Sequence, residues 1–449
     1  MRTMKRFAAL LAFVCLFGFA ARPAMAQSIL RDAETESLFA DISRPIIAAA
    51  GLAPNNVKVV LINDPSINAF VAGGQIVYIH SGLIDAADNA NEVQGVIAHE
   101  LGHVVGGHVP LAGDGNAGNI SILSLVLGVA AIAAGAPDAG TGILLAGQRA
   151  AIGKYLAFSR VQESSADAAG VRFLNTAGIS GKGMLEFFKK LQNLEYRLAI
   201  PQENSFDRSH PLSGERIQNL TADLKDSPAW NKPADPDIER RFKRVQAKLR
   251  GYVNDPQATL RIYPMTDQSI PAHYARAYAY HKSGYPDQAA AETAALVKAE
   301  PNDPYFLELQ GQILLESGKP LEALGPLRRA TEETSFQPLI ATTFGHALIA
   351  TEDPQYLPEA EKVLRQAVAR DDENPFAWYQ LGVVYERKGD QPRTALATAE
   401  RANLTGDAGL AMVSARTAMA GLPTGSPDWL RAQDIFLVSQ NAVRDQKRR

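Results

Sequence analysis

The 449-residue sequence contains one cysteine, Cys15, three tryptophans and 7% aromatic residues. Because that cysteine lies in an N-terminal segment that we expect to be removed, the mature chain has no thiol for a disulfide or for a metal. Any metal must therefore be bound by His, Asp or Glu. The few aromatic residues and the formal net charge of -3 argue against a nucleic-acid partner, whose binding needs stacking surfaces and positive charge.

The first 26 residues have the order of a secretory signal peptide. Basic residues at positions 2, 5 and 6 precede an apolar run over 7–21, and the segment ends in Ala24-Met25-Ala26. The run is shorter than the ~20 residues that a membrane span needs, which argues against a single membrane anchor. The sequence therefore predicts cleavage after Ala26 and export to the periplasm.

The length predicts two or three domains, and the content of 46% hydrophobic and 21% charged residues is typical of soluble globular proteins. We expect an α+β, mostly helical protein in which a metalloprotease domain of the zincin type, with a small β-sheet, precedes an all-α solenoid. The predicted divisions are a signal peptide (1–26), a zinc metallopeptidase domain (27–230), a linker with a basic helix (231–268), helical repeats (269–425) and a C-terminal helix with a basic tail (426–449).

Two strands and a helix are predicted early in the mature chain. Val57–Ile62 and Gln75–His80 resemble β-strands, and Gly73-Gly74 between them suits a turn. Apolar residues at helical spacing predict a helix over 89–109, which Gly106-Gly107 would loosen or stop. Further helices are expected over 153–169, 182–195 and 238–253.

The last 180 or so residues show a repeat. Small residues recur at a step of 34 at Ala277, Gly311 and Gly345, and Gly382 follows after 37, as if three residues were inserted near 352–358. Glycines seven positions later suit the turn of a helical pair, and Trp378 begins a W-x-x-L-G-x-x-Y pattern typical of tetratricopeptide repeats (TPRs). A helical bundle with accidental spacing is the alternative. The glycines at the turns within the helical pairs are Gly284, Gly318 and Gly389, seven positions after Ala277, Gly311 and Gly382. We expect 407–435 to add a capping or fourth, degenerate unit.

One internal stretch is apolar enough to suggest a membrane. Ile120–Ala136 is rich in Ala, Gly and Ser, and a second apolar piece follows over 143–146. Its length is marginal for a span. The favoured interpretation is a buried or interfacial hairpin, with peripheral membrane contact through 120–146; true insertion and a mobile cover over a cleft are the alternatives.

The pentapeptide His99-Glu100-Leu101-Gly102-His103 forms an H-E-x-x-H motif inside the predicted helix. At 3.6 residues per turn, positions four apart lie on nearly the same face, so both imidazoles can reach one metal ion. Glu100 lies beside that face and can reach a water molecule at the metal. Apolar residues on both sides argue against a surface helix with two unrelated histidines.

A catalytic zinc site usually has three protein ligands, so a third is required. The pattern H-E-x-x-H-x-x-G-x-x-H fails by one residue, because its last histidine stands at His108 instead of position 109. Glu163 and Asp167 are better candidates, since on a helix they share a face: one carboxylate can bind zinc while the other bonds to a ligand imidazole. Such a pair is otherwise usually a solvated acidic face.

Three motifs in one order resemble a known family. The sequence HELGH is followed some sixty residues later by Glu163-Ser164-Ser165-Ala166-Asp167 and then by Ser209-His210-Pro211. This order resembles the gluzincin metallopeptidases that include HtpX and the CAAX-prenyl proteases. The signal peptide and the repeats are similar to those of a secreted branch that acts in outer-membrane protein assembly, and the resemblance covers nearly the whole mature chain.

The resemblance implies one Zn²⁺ per chain, with a ligand set, a general base and a supporting acid. It also implies that Asn68-Ala69-Phe70 belongs to an edge strand on which substrate is captured as an added strand. The residues implied are His99, His103 and Glu163 as zinc ligands, Glu100 as general base and Asp167 in support.

Two further residues, His210 and Arg216, follow the acidic motif in the chain. His210 can stabilise the oxyanion of the tetrahedral intermediate, occupy the open zinc position in a resting state, or make a structural hydrogen bond. Arg216 is expected to be a salt-bridge partner that organises the site.

The sequence thus predicts a periplasmic zinc endopeptidase. Its expected substrates are misfolded, unfolded or stalled envelope proteins, and the outer-membrane β-barrel assembly machinery is an expected partner of the repeats. The alternative is an exported TPR scaffold or chaperone whose protease site is largely idle.

Overall fold

The computed structural model describes residues 28–108, 160–198, 210 and 214–446. The predicted signal peptide, the apolar stretch at 120–146 and the neighbours of His210 in the Ser-His-Pro motif lie outside these ranges. Within the described ranges, no helix combines the length and the apolar character needed to cross a bilayer.

Four short strands form one sheet in the order β1-β2-β4-β3. The two central strands are parallel, and an antiparallel strand lies on each side. The two predicted strands agree with β2 and β4 within one residue. The strands are β1 (Ser28–Leu30), β2 (Lys58–Asn63), β3 (Ala69–Ala72) and β4 (Ile76–His80).

Strand β3 lies where the residue pattern alone indicated only a turn region. All four of its residues are buried, so the sequence shows no polar–apolar alternation there. The turn itself is as predicted: Gly73 and Gly74 have φ of +63° and +93°, a region that favours glycine.

Six helices described in the first domain lie on one side of this sheet. Their apolar side chains and one face of the sheet form a single core. The central helix, α3, packs against α1, α4 and α5. The helices are α1 (Ala33–Ala49), α2 (Ser81–Ala86), α3 (Ala90–Val105), α4 (Arg160–Ala177), α5 (Lys182–Leu198) and α6 (Gly214–Lys225).

Local signals set both ends of α3. The Asn89 side chain accepts a hydrogen bond from the Glu92 amide at 3.0 Å, and the Glu92 carboxylate accepts one from the Asp88 amide at 2.9 Å. The helix ends at Val105, four residues before the predicted end. Gly107 follows with φ of +60°, so the glycine pair stops the helix as expected.

The predicted basic helix is α7 (Pro236–Val253), which is followed by the short α8 (Pro256–Ile262). Phe242, Val245 and Leu249 belong to the core of the first domain. Arg244 and Lys248 are buried as well, so α7 is an integral part of the packing between the two halves of the chain.

Residues 270–446, all of which the structure describes, form ten helices in five consecutive pairs. The helices are α9 (Ile270–Lys282), α10 (Pro286–Ala299), α11 (Pro304–Glu316), α12 (Pro320–Glu333), α13 (Pro338–Ala350), α14 (Leu357–Arg370), α15 (Pro375–Arg387), α16 (Gln391–Leu404), α17 (Ala408–Gly421) and α18 (Pro427–Gln446).

The glycine spacing has a structural cause. Gly284, Gly318 and Gly389 have φ between +74° and +77° at the turn within a pair. The equivalent residue of the third pair is Glu352, with φ of +60°, and a 3₁₀ turn at Pro354–Tyr356 follows it. The predicted insertion of three residues therefore lies in this turn.

The last pair, α17 and α18, packs against α16 and continues the array. It is a fifth helical pair, whereas the sequence predicts a cap or a fourth, degenerate unit over 407–435. The predicted division at 425/426 falls in the connection between these two helices.

Candidate active site

Helix α3 carries the H-E-x-x-H motif into the core. His99 and Glu100 have no exposed surface, and His103 is 1% exposed. The two imidazoles lie one turn apart, with 3.1 Å between their Nε2 atoms. Both rings therefore direct the same nitrogen to one point.

Helix α4 approaches α3 closely because each helix presents a glycine to the other. A Cβ atom on Gly102 would lie 2.5 Å from the Ala166 carbonyl oxygen, and one on Gly170 would lie 3.2 Å from the Ala98 carbonyl carbon. This approach brings in the Glu163 carboxylate, which is fully buried. Its Oε2 lies 3.4 Å from His99 Nε2 and its Oε1 lies 3.4 Å from His103 Nε2.

His210, which is fully buried, reaches the same point from outside these two helices. Its Nδ1 lies 3.2 Å from His99 Nε2 and 3.1 Å from Glu163 Oε1. Its Nε2 lies 3.4 Å from Glu100 Oε1. His210 therefore contacts both the candidate ligands and the candidate base.

The donor atoms fit a tetrahedral metal site. The ligand atoms of His99, His103, Glu163 and His210 all lie within 4.8 Å of one another. Zinc bonds of about 2.0–2.1 Å to nitrogen and oxygen imply tetrahedron edges of about 3.3 Å. Five separations among these groups, 3.1–3.4 Å, agree with those edges, with Glu163 presenting Oε2 to His99 and Oε1 to His103 and His210.

Asp167 and Arg216 support these donors from one side. Asp167 Oδ1 lies 2.9 Å from His99 Nδ1, the nitrogen that points away from the other donors. Arg216 donates two hydrogen bonds to Asp167, at 2.7 and 2.8 Å, and its Nη1 lies 2.8 Å from Glu163 Oε2. The guanidinium thus orients both carboxylates of the acidic motif.

Burial and charge set the protonation of the cluster. Burial alone would lower the pKa of His99, but the Asp167 and Glu163 carboxylates raise that pKa to about 10. Burial lowers the pKa of His103 to about 3. Although burial opposes ionisation of Glu163, the surrounding imidazoles hold its pKa well below the usual range. The raised pKa favours a protonated His99 imidazole, and a metal ion that binds this ring must displace its proton.

Glu100 differs from Glu163 in its surroundings. Neither of its carboxylate oxygens has a hydrogen-bond partner among the described residues. Burial raises the pKa of Glu100, which makes this carboxylate a better proton acceptor than an exposed glutamate.

Two neighbours of the cluster were not assigned a role from sequence. His108, which the sequence offers only as a possible third ligand, contacts the His103 ring instead, with 3.1 Å between the two Nδ1 atoms. The ring of Phe188 on α5 lies perpendicular to that of His99, with 5.4 Å between ring centres. No motif signals this phenylalanine, because it contacts the site only through the packing of α5 against α3.

The segment that the family resemblance implied for substrate capture lies at one end of the described sheet. Ala69 and Phe70 pair with Ile79 and Tyr78 of β4. The Asn68 carbonyl accepts a hydrogen bond from the His80 amide at 3.0 Å, which extends the same ladder. In the described sheet β3 is therefore a terminal strand beside α3.

A buried H-E-x-x-H helix, a distant glutamate that completes its donor set and a following array of helical pairs define a metallopeptidase with a repeat domain. The comparisons with known proteins agree. Residues 32–223 match the model described as Peptidase family M48, and residues 274–338 and 345–408 match the model described as Tetratricopeptide repeat. The chain carries an M48 peptidase domain followed by TPRs, which confirms the expected fold class and implies a metal cofactor.

Several similar proteins are also named as proteases. The "Beta-barrel assembly-enhancing protease" of Escherichia coli O157:H7 is 26% identical over 375 residues, which cover 81% of this chain and 74% of the relative. The protein of the same name from strain K12 is 25% identical over the same shares. "Metalloprotease LoiP" of strain K12 is 36% identical over 172 residues, 37% of this chain and 62% of that relative. The chain is thus a metalloprotease similar to proteins named for β-barrel assembly.

Proposed function

We propose that the protein is a zinc-dependent endopeptidase of the gluzincin type. The observation that carries this proposal is the spacing of the donor atoms of His99, His103 and Glu163. Two imidazoles and one carboxylate, with no thiolate, are a donor set that suits catalytic zinc. The bound ion would supply a Lewis acid and would lower the pKa of a water molecule.

Glu100 is the proposed general base. It accepts the proton of the attacking water and later delivers it to the leaving amine. Its buried position and its lack of hydrogen-bond partners among the described residues leave its oxygens available for this proton.

His210 is proposed as a resting occupant of the fourth position. Its Nδ1 lies at tetrahedral spacing from two of the other donors, and it is fully buried. A substrate carbonyl would displace the ring from this position. Asp167 and Arg216 are proposed to orient His99 and Glu163 in both states.

The substrate is proposed to add as an extended strand to β3 at Asn68, Ala69 and Phe70. The terminal position of β3 and its contact with α3 support this assignment, since a strand added there would run beside the motif helix.

The natural clients are proposed to be unfolded or misassembled envelope proteins in the periplasm, with the β-barrel assembly machinery as a partner of the TPRs. The names of the relatives and the signal-peptide pattern support this proposal. A second function, holding clients without cleavage, is favoured by a cavity of about 750 Å³ between the sheet and the repeats, lined by Val60, Tyr78, Thr342 and Phe376 among others.

The test compares two substitutions in purified protein. Glu100→Gln should keep the zinc content and reduce cleavage of casein or of an unfolded outer-membrane protein by at least about 100-fold. Glu163→Ala should instead lower the zinc content measured by metal analysis. Cleavage at the normal rate by Glu100→Gln would refute the assignment of the base. If Glu100→Gln still restores the phenotype of cells that lack this protein, the holding function is favoured.

A further inference from the structure

Phe188 lies behind the candidate metal site and contacts two of its members. It has no exposed surface. Its ring is perpendicular to the His99 imidazole, at 87° and 5.4 Å between centres. The guanidinium carbon of Arg216 lies 5.8 Å from the centre of the same ring. One apolar side chain therefore borders both a metal-binding imidazole and the cation that orients the carboxylates.

The helix that carries Phe188 is tied to the motif helix at its start. The Asn91 side chain on α3 donates to the Ser180 carbonyl and accepts from the Gly183 amide, each at 2.8 Å. Lys190, further along α5, binds the Glu92 carboxylate at 2.8 Å. Because these bonds lie on both sides of Phe188 in sequence, its ring is held at a defined place against α3.

The ring restricts His99 where hydrogen bonding does not. Asp167 contacts Nδ1, and His210 and Glu163 lie near Nε2, but contacts at the two nitrogens alone still permit the ring to rotate about the line that joins them. A perpendicular aromatic ring favours one orientation of its neighbour. Phe188 also packs against the Arg216 guanidinium, whose ion pairs with Asp167 and Glu163 are buried and are therefore stronger than they would be in water.

We propose that Phe188 is a positioning residue for the metal site: its ring sets the plane of His99 and supports the Arg216 guanidinium. The inference rests on the proposed role of His99 as a ligand. Groups outside the ligands themselves typically change metal affinity by about 10- to 100-fold when removed.

The adjacent residue provides a matched control. Phe187 is also fully buried, but its ring lies beside the Lys190 ammonium, at 5.8 Å. Phe187→Leu and Phe188→Leu therefore delete the same atoms from neighbouring core positions. Both should lower the midpoint of thermal unfolding of the metal-free protein by similar amounts.

The decisive measurement is the zinc dissociation constant of the full-length protein, obtained by competition with a chromogenic chelator at a temperature where both variants are folded. Phe188→Leu should raise it by about 10-fold or more, and Phe187→Leu should leave it within about threefold. The absorption spectrum of the Co²⁺-loaded protein should change in Phe188→Leu only. If Phe188→Leu does not fold, Phe188→Met fills more of the space and is read in the same way.

Equal zinc affinity in the two variants would overturn the positioning role while leaving the proposed function intact. A wild-type protein that binds no zinc would instead overturn the proposed function itself. The two failures are therefore distinguishable in one titration.

Discussion

A catalytic zinc site keeps one position free for water or substrate, and the Nδ1 atom of His210 is the proposed resting occupant of that position. The atom is 3.2 Å from His99 Nε2 and 3.1 Å from Glu163 Oε1. A residue that acted only on the oxyanion would not need to lie at ligand spacing from the other donors. The geometry therefore favours a resting state in which His210 and the substrate exclude each other.

His210→Ala tests this exclusion. Removing a resting ligand should increase the rate of cleavage of an unfolded substrate several-fold, with zinc still bound by the other three donors. The rate is measured with casein at fixed zinc content. Loss of an oxyanion stabiliser would instead reduce kcat by about 10²–10³. His346→Ala, which removes an imidazole from the repeats, controls for the general effect of losing a histidine and should leave the rate unchanged.

At the scale of elements, the site depends on how closely α4 approaches α3. Gly102→Ala should disrupt this approach, because the added Cβ would lie 2.5 Å from the Ala166 carbonyl oxygen and 2.8 Å from its Cα. Backbone atoms cannot move aside as a flexible side chain can. The helices must separate, which moves Glu163 away from both imidazoles. We expect an increase in the zinc dissociation constant of about 10-fold or more and a loss of about 1–3 kcal/mol in stability.

Gly325→Ala is the control for this substitution. Gly325 lies inside α12, and a Cβ there would meet no atom within 4 Å. Pro326 follows it and disfavours a Cβ on a helical residue before it, which offsets the gain in helix propensity, so alanine should change the stability by no more than about 1 kcal/mol and leave zinc binding unchanged. Zinc titration and thermal unfolding of both variants give the comparison; equal zinc affinity in Gly102→Ala and wild type would show that close packing of α3 and α4 is dispensable.

Because the site depends on this packing, only some of its residues can be predicted from the sequence. His99, Glu100 and His103 belong to one helical turn, so their relative positions follow from helix geometry alone. The residue pattern alone leaves Glu163 and Asp167 as alternatives, and the choice of Glu163 as the ligand rests on the family resemblance, because a long segment separates both residues from the motif. Phe188 gave no signal, since a buried phenylalanine in an amphipathic helix is ordinary. The short strand β3 was missed by pattern because both of its faces are buried.

At the scale of the whole molecule, buried charges join the peptidase domain to the repeats. Glu34 on α1 is 1% exposed; it pairs with Arg244 of α7 at 2.8 Å and accepts a hydrogen bond from the Tyr274 hydroxyl of α9 at 2.6 Å. Arg244 also pairs with Asp303 at 2.8 Å. The sequence could not predict that the basic helix is buried, because its partners lie far away in the chain. Because desolvation offsets much of the attraction between buried charges, we expect these pairs to fix the arrangement of the domains more than they add stability.

Glu308 of α11 belongs to the same region and lacks a compensating partner for one of its oxygens. Among the described residues, its Oε2 is buried without a hydrogen bond. Burial raises its pKa to about 8; Lys248 opposes this increase, while Asp32, Glu34 and Glu36 add to it. Tyr278 is close enough for its own pKa to be affected by this carboxylate. The neutral form of Glu308 is therefore favoured in the folded protein near pH 7.

The sign of the resulting pH dependence follows from linkage. Since the pKa of Glu308 is raised from 4.5 to about 8 on folding, the folded state binds more protons between these values. The contribution of protonated Glu308 to the free energy of unfolding is fully present below about pH 4.5 and is lost as the pH rises through 8. Glu308→Gln keeps a neutral side chain at every pH, so its unfolding midpoint relative to wild type should rise by a few degrees between pH 5 and pH 8.5. Glu322→Gln, which removes an exposed carboxylate from α12, should show no such increase; equal behaviour of the two variants would mean that Glu308 is already ionised in the folded protein.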